Sequence, residues 1–274
     1  MLRAMSPLLL LSLACSGGPA PDSAPGDTAA DTAGELSPEA LVQSLGEAGP
    51  YGVGYTEEEV DYTDPAGQPR TLRLAVWYPS TDTQGQAVQY LGFVDAPGVM
   101  RDATVAEGPF PVVVFSHGHM GYAEVSGFLL AHLASHGWLV MSPDRTGNTI
   151  SDDAQRNTEI YFQRPADISA VIDHVARDWA ATVDADHIVG MGHSFGGYTM
   201  HALAGAAYDI QDIAPRCYDG TDTSNFCSTM SPSYQAIFTQ GLADPRIETI
   251  MSVGAGDLDL LAPASRPSIA RPCG

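Results

Sequence analysis

Apolar residues along this chain fall into two patterns, and each pattern assigns elements. Phe110-Pro111-Val112-Val113-Val114-Phe115 is an unbroken apolar run, as expected of a strand buried on both faces. Trp138-Leu139-Val140-Met141 and His187-Ile188-Val189-Gly190-Met191 have the same character, and Ile247 to Val253 reads as one more strand. Between these runs the apolar positions return at helical spacing. Val125 to His136 predicts a helix stopped by Gly137, and Asp167 to Trp179 places Ile168, Val171, Ile172, Val175 and Trp179 on one helical face. Gly197 to Ala207 predicts a third helix, built of small residues. Upstream, Tyr51 to Tyr62 and Thr71 to Tyr78 read as extended segments joined by the turn Asp64-Pro65-Ala66-Gly67, an antiparallel hairpin. Strands alternating with helices predict an α/β three-layer sandwich with a mostly parallel sheet, right-handed crossovers and a site at the strands' C-terminal edge.

The 274 residues, 44% hydrophobic, suffice for one such domain, placed at 49–274. Residues 1–15 read as a signal peptide: Arg3, the apolar run Leu8 to Ala14, then Cys15. A cysteine directly after a short apolar run resembles a bacterial lipoprotein signal, which implies lipidation of Cys15 and a membrane tether through it. The alternative is an ordinary signal cleaved nearby, so the expected location is exported, either a cell-envelope lipoprotein or secreted. Residues 16–48, rich in Pro, Gly, Ala, Asp and Thr, predict a flexible tether. A net charge of −21 disfavours nucleic acid and anionic membrane faces. In an exported chain, Cys217 and Cys227 are reasonable disulfide partners. The eight histidines are dispersed with no metal-ligand spacing, so no metal is expected.

Gly192-His193-Ser194-Phe195-Gly196-Gly197 lies where the strand ending at Met191 meets the small-residue helix. A serine at so sharp a strand-to-helix turn needs neighbours without side chains, which Gly192 and Gly196 provide, and its hydroxyl then stands at the positive end of the helix. The pattern is that of a nucleophile elbow.

Phe115-Ser116-His117-Gly118, Leu133-Ala134-Ser135-His136-Gly137, Pro143-Asp144, Gly147-Asn148-Thr149, Arg164-Pro165-Ala166-Asp167 and the Gly-His-Ser-Phe-Gly-Gly turn follow one another in an order that resembles an α/β-hydrolase. Among these the resemblance is to bacterial enzymes similar to platelet-activating factor acetylhydrolase and dienelactone hydrolase, and it covers roughly Tyr51 to Asp259. It implies a serine ester hydrolase acting on short acyl esters or modified phospholipids, with no cofactor, no metal and no protein partner. It implies Ser194 as nucleophile, with the backbone N–H groups of Phe195 and His119 as oxyanion donors.

The family's histidine follows its last strand, but the last histidine here is His201, about two turns or roughly 10 Å beyond Ser194 on the same helix. His193 adjoins the nucleophile with its side chain directed away, and His117 reads as a structural part of its turn. Asp257 and Asp259 follow the strand ending at Val253, where related enzymes place the acid, and otherwise read as solvated loop carboxylates. Asp144 and Asp167 read as turn and helix-start residues that satisfy free N–H groups. Pro263, Pro267 and Pro272 interrupt the remaining chain, so the fold is expected to be incomplete at its C-terminus, without the family's last two strands. An alternative follows: a catalytically incomplete relative that at most binds an ester or lipid.

Overall fold

The computed structural model describes residues 37–152 and 156–262. Cys15, Cys273, the signal segment and most of the expected tether lie outside them. Within the stretch read as tether, Pro38–Gly46 forms helix α1. Ser37 explains its start: the hydroxyl accepts a hydrogen bond from the Ala40 N–H at 3.2 Å, and a proline at the first helical position loses no bond. From Leu45 onward the chain forms one compact unit.

Strands β1 (Gly52–Thr63) and β2 (Pro69–Ser80) form the antiparallel hairpin. Its turn is closed by Asp64 Oδ1, which accepts from the Ala66 and Gln68 N–H groups at 2.9 and 2.8 Å. Strands β3 (Gln86–Tyr90) and β4 (Val94–Arg101) extend one edge. Strands β5 (Phe110–Ser116), β6 (Leu139–Pro143), β7 (Val183–His193) and β8 (Ile247–Val253) complete an eight-stranded sheet of order β3-β4-β1-β2-β6-β5-β7-β8. β6, β5, β7 and β8 are mutually parallel, so their C-terminal ends share one edge.

Side-chain alternation builds the layers. On one face Leu72, Leu74, Val76, Val112, Val114, Leu139 and Met141 pack with Ile168, Val171 and Val175 of helix α3 (Thr158–Asp178) and with Met200 and Leu203 of helix α4 (Phe195–Leu203). On the other, Ala75, Trp77, Val113, Phe115 and Val140 pack with Leu130 and Ala134 of helix α2 (Gly127–Ser135). Each large side chain buried this way is worth about 1.5–3 kcal/mol in water exclusion. The strand-loop-helix alternation with Ser194 at the β7–α4 junction defines an α/β-hydrolase fold.

Helix α3 starts nine residues earlier than the periodicity predicts, with Pro165 inside it. Asp167 is therefore not a helix-start residue. It is a fully buried mid-helix carboxylate, paired with Arg70 at 3.0 Å and Arg145 at 3.3 Å and accepting from the Tyr62 hydroxyl. Helices α5 (Ile210–Tyr218) and α6 (Pro232–Gln240), unforeseen in the sequence, bury a third cluster around Tyr198, Tyr208, Phe226 and Phe238. The Cys217–Cys227 disulfide joins α5 to the turn carrying Phe226. Among the described residues, no helix is long and apolar enough to cross a membrane.

Candidate active site

Ser194 occupies the junction of β7 and α4 with φ 54° and ψ −119°, a left-handed-side conformation that costs a non-glycine residue about 1–3 kcal/mol. Its surroundings hold it there. The Ser194 N–H donates to the Val253 carbonyl at 2.8 Å, and its own carbonyl accepts from Gly197 at 2.8 Å, which starts α4 at once. The flanking glycines are required by contact: a Cβ on Gly192 would lie 2.2 Å from the Gly196 oxygen, and one on Gly196 would lie 1.8 Å from the Ser116 oxygen. The elbow and the end of β5 touch backbone to backbone.

Beyond β5, His117-Gly118-His119 turns past the serine, with a Cβ position on Gly118 only 3.3 Å from Ser194 Cβ. Phe195 is the first residue of α4, so its N–H has no intrahelical acceptor. The His119 N–H likewise donates to no described residue. Among the described residues neither N–H has an acceptor, as a donor reserved for an oxyanion requires.

This turn is tied down from both sides. Asp144 Oδ1, at the end of β6, accepts from the Ala123 N–H at 2.6 Å, while Asp144 Oδ2 meets Arg73 at 2.8 Å. Glu124, fully buried at its side chain, pairs with Arg73 and accepts from the Tyr55 hydroxyl at 2.6 Å. From the α3 side, the buried Arg164 donates to the His117 carbonyl, to Ser116 Oγ at 3.2 Å and to Asn148 Oδ1 at 2.8 Å, and its guanidinium lies 4.9 Å from the Phe195 ring centre. Arg145 supports it by donating to the Arg164 carbonyl at 2.6 Å. Ile150 donates to the Gly121 carbonyl at 3.1 Å, joining the loop after β6 to the same turn.

His117 is fully buried and its Nδ1 donates to the Gly118 carbonyl at 2.7 Å, leaving Nε2 buried without a partner. Burial, with the nearby Arg164 and Arg145 charges, holds it well below the ordinary histidine value, so it is neutral. His119 presents Nδ1 to Asn148 Nδ2 at 2.7 Å. His193 is exposed, and His201 is buried down α4, its value lowered by burial. No hydrogen bond links Ser194 Oγ to a described side chain.

Asp257 and Asp259 differ in setting. Asp257, at φ 55°, is not a free loop carboxylate: it is ion-paired with Arg156, whose guanidinium stacks 4.3 Å from the Phe195 ring centre and donates to Tyr161 Oη at 2.9 Å. Asp259 is exposed. Nothing in the sequence pointed to Arg156. Arg164 stood in a motif without a role, because a buried arginine and a surface one read alike. Among the described residues, no group of three or more His, Cys, Asp or Glu side chains is arranged to hold a metal.

Fold and elbow define an α/β-hydrolase. Within that class, residues 96–253 match the chlorophyllase family, more than half of the sequence, and the chain belongs to that family. It is also similar to a solved ferulic acid esterase from Streptomyces cinnamoneus, at 24% identity and a TM-score of 0.45, over 55% of this chain and 54% of that one. The chain thus spans about half the length of that enzyme. No curated protein matches the sequence.

Proposed function

We propose that this chain carries the nucleophile and oxyanion donors of a serine carboxylic-ester hydrolase. The observation that carries the reading is Ser194 held at φ 54° at the strand-to-helix junction, against the His117–His119 turn, with the Phe195 and His119 N–H groups unengaged by any described residue. Ser194 Oγ adds to the ester carbonyl carbon, and the carbonyl oxygen gains charge that the two N–H groups receive. Collapse breaks the bond from the carbonyl carbon to the alkoxy oxygen, which departs as the alcohol with the proton that Ser194 gave up, and leaves acyl-Ser194, which water then hydrolyses to the acid and free Ser194. Removing one oxyanion donor of this kind costs about 10²–10³ in turnover. Membership of the chlorophyllase family supports ester chemistry. The motifs from Phe115 to Gly197 that resemble platelet-activating factor acetylhydrolase narrow the proposed substrates to short acyl esters or modified phospholipids.

The Ser194 proton requires a base, and no described histidine is bonded to it. That observation favours a second reading, in which the site binds an ester without turning it over. A fluorophosphonate probe separates the two. Covalent labelling lost in Ser194→Ala supports the hydrolase, whereas an unlabelled protein that still binds a short-chain ester supports the binder.

Export through the leader and lipidation at Cys15 belong to the same proposal, supported by a disulfide that an oxidising compartment favours. Incorporation of labelled palmitate, abolished by Cys15→Ala, tests it.

A further inference from the structure

We propose that the His119 imidazole is a hydrogen-bond donor to the bound ester, with its proton held on Nε2 by the Asn148–Arg164 chain behind it. The inference rests on the hydrolase reading of Ser194 for its ligand, though not for its chemistry.

The argument starts at Arg164, which is fully buried in α3 and donates from Nη1 to Asn148 Oδ1 at 2.8 Å. A guanidinium has donors only, so it fixes which end of the Asn148 amide faces it. The oxygen points to Arg164, and the NH₂ group therefore points to His119, with Nδ2 standing 2.7 Å from the ring's Nδ1. An amide NH₂ also has only hydrogens to offer, so Nδ1 must present its lone pair. A neutral imidazole in that position carries its proton on Nε2. Burial, with the positive charges of Arg156 and Arg164 nearby, lowers the value of His119 and keeps the ring neutral at pH 7. Asp257 acts on it in the opposite direction.

His119 follows Gly118, whose Cβ position lies 3.3 Å from Ser194 Cβ, and its ring meets the Phe195 ring edge-on with centres 6.3 Å apart. The imidazole is half-exposed beside the nucleophile, and Nε2 donates to no described residue. An acyl carbonyl oxygen is the acceptor this N–H suits, and the bond strengthens as that oxygen becomes negative. The proton is shared and never transferred. The same tautomer disqualifies His119 as the base for Ser194, since its Nε2 has no lone pair to offer.

Long-range ¹H–¹⁵N spectroscopy of the full chain, with the His119 signals assigned by their loss in His119→Gln, reads the tautomer directly. The expected result is an Nε2–H form from pH 6 to 8 that becomes Nδ1–H in Asn148→Asp, where a carboxylate replaces the donor. An Nδ1–H form in the unaltered protein, or a tautomer indifferent to Asn148→Asp, overturns the assignment. With p-nitrophenyl butyrate, His119→Phe should lower kcat about 10²-fold with little change in KM, and His119→Gln should recover most of it. A His119→Phe variant with undiminished kcat overturns the donor role. If the unaltered protein neither hydrolyses this ester nor reacts with a fluorophosphonate, the hydrolase reading fails and the spectroscopic result still decides the tautomer.

Discussion

Tyr198 Oη donates to the carbonyl oxygen of Tyr161 at 2.9 Å, supplying the hydrogen bond that Pro165 cannot make four residues further along α3. Tyr198 is completely buried, so Tyr198→Phe leaves that carbonyl dry and unpaired and also deprives Tyr208 of its partner at 2.6 Å. A loss of about 1–3 kcal/mol in chemical denaturation is expected. Pro165→Ala restores the missing N–H, so Tyr198→Phe should cost measurably less in that background. Equal costs in both would refute the compensation.

The Cys217–Cys227 bond closes a loop of sequence separation 10 and fastens α5 to the turn that inserts Phe226 into the third cluster. Loop-closure entropy for so short a span predicts a stabilisation of about 2–3 kcal/mol. Replacing both cysteines by serine should therefore lower the unfolding midpoint, and added reductant should shift the parent but leave the variant unmoved.

How far the sequence revealed this fold depended on the range of each interaction. β5 and β6 announce themselves because a parallel strand covered on both faces is apolar at nearly every position, and β7 does so from Ile188 to Met191, whereas β8, the last strand of the sheet, is partly exposed along its length. The elbow is visible because its glycines are demanded by neighbours within a few residues or at the end of β5. The early start of α3 is invisible because Pro165 reads as a breaker, while the hydroxyl that offsets it comes from Tyr198, 33 positions away. Asp167 misleads similarly, since its arginine partners on β2 and after β6 are set by the sheet order. β3 and β4 lie at the edge of the sheet, where a register shift between Ala87 and Val88 and the Pro97-Gly98 pair within β4 break the alternation that would announce their buried residues.

His117 makes stability depend on pH in one direction. Its folded value is depressed by burial, so below the ordinary value near 6.5 the unfolded chain binds a proton that the folded chain refuses. Stability is unaffected by this group above about pH 7 and falls below it, by up to ~1.4 kcal/mol per pH unit. His117→Asn preserves the donor that Nδ1 offers the Gly118 carbonyl and removes the titration. Denaturation series from pH 7.5 to 5 should show a shallower acid slope in the variant, and parallel slopes would contradict the assignment.

Two glycine substitutions at the elbow separate folding from chemistry. In Gly196→Ala the new methyl meets the Ser116 carbonyl oxygen at 1.8 Å, a backbone contact no rotamer relieves, so the loss of stability should reach or pass the ~1–3 kcal/mol of ordinary overpacking. In Gly118→Ala the methyl meets Ser194 Cβ at 3.3 Å, the tightest of its contacts, with the His193 backbone oxygen at 3.5 Å and His193 Nδ1 at 3.6 Å. A shift of a few tenths of an ångström accommodates it, and the group that shifts is the nucleophile itself. Thermal unfolding should therefore barely change while the rate of fluorophosphonate labelling at Ser194 falls by up to about 10²-fold, the penalty for misplacing a reacting group by an ångström. If Gly118→Ala reacts at the parent rate with its stability intact, the turn after β5 does not set the position of Ser194, and the oxyanion role of His119 loses its geometric basis.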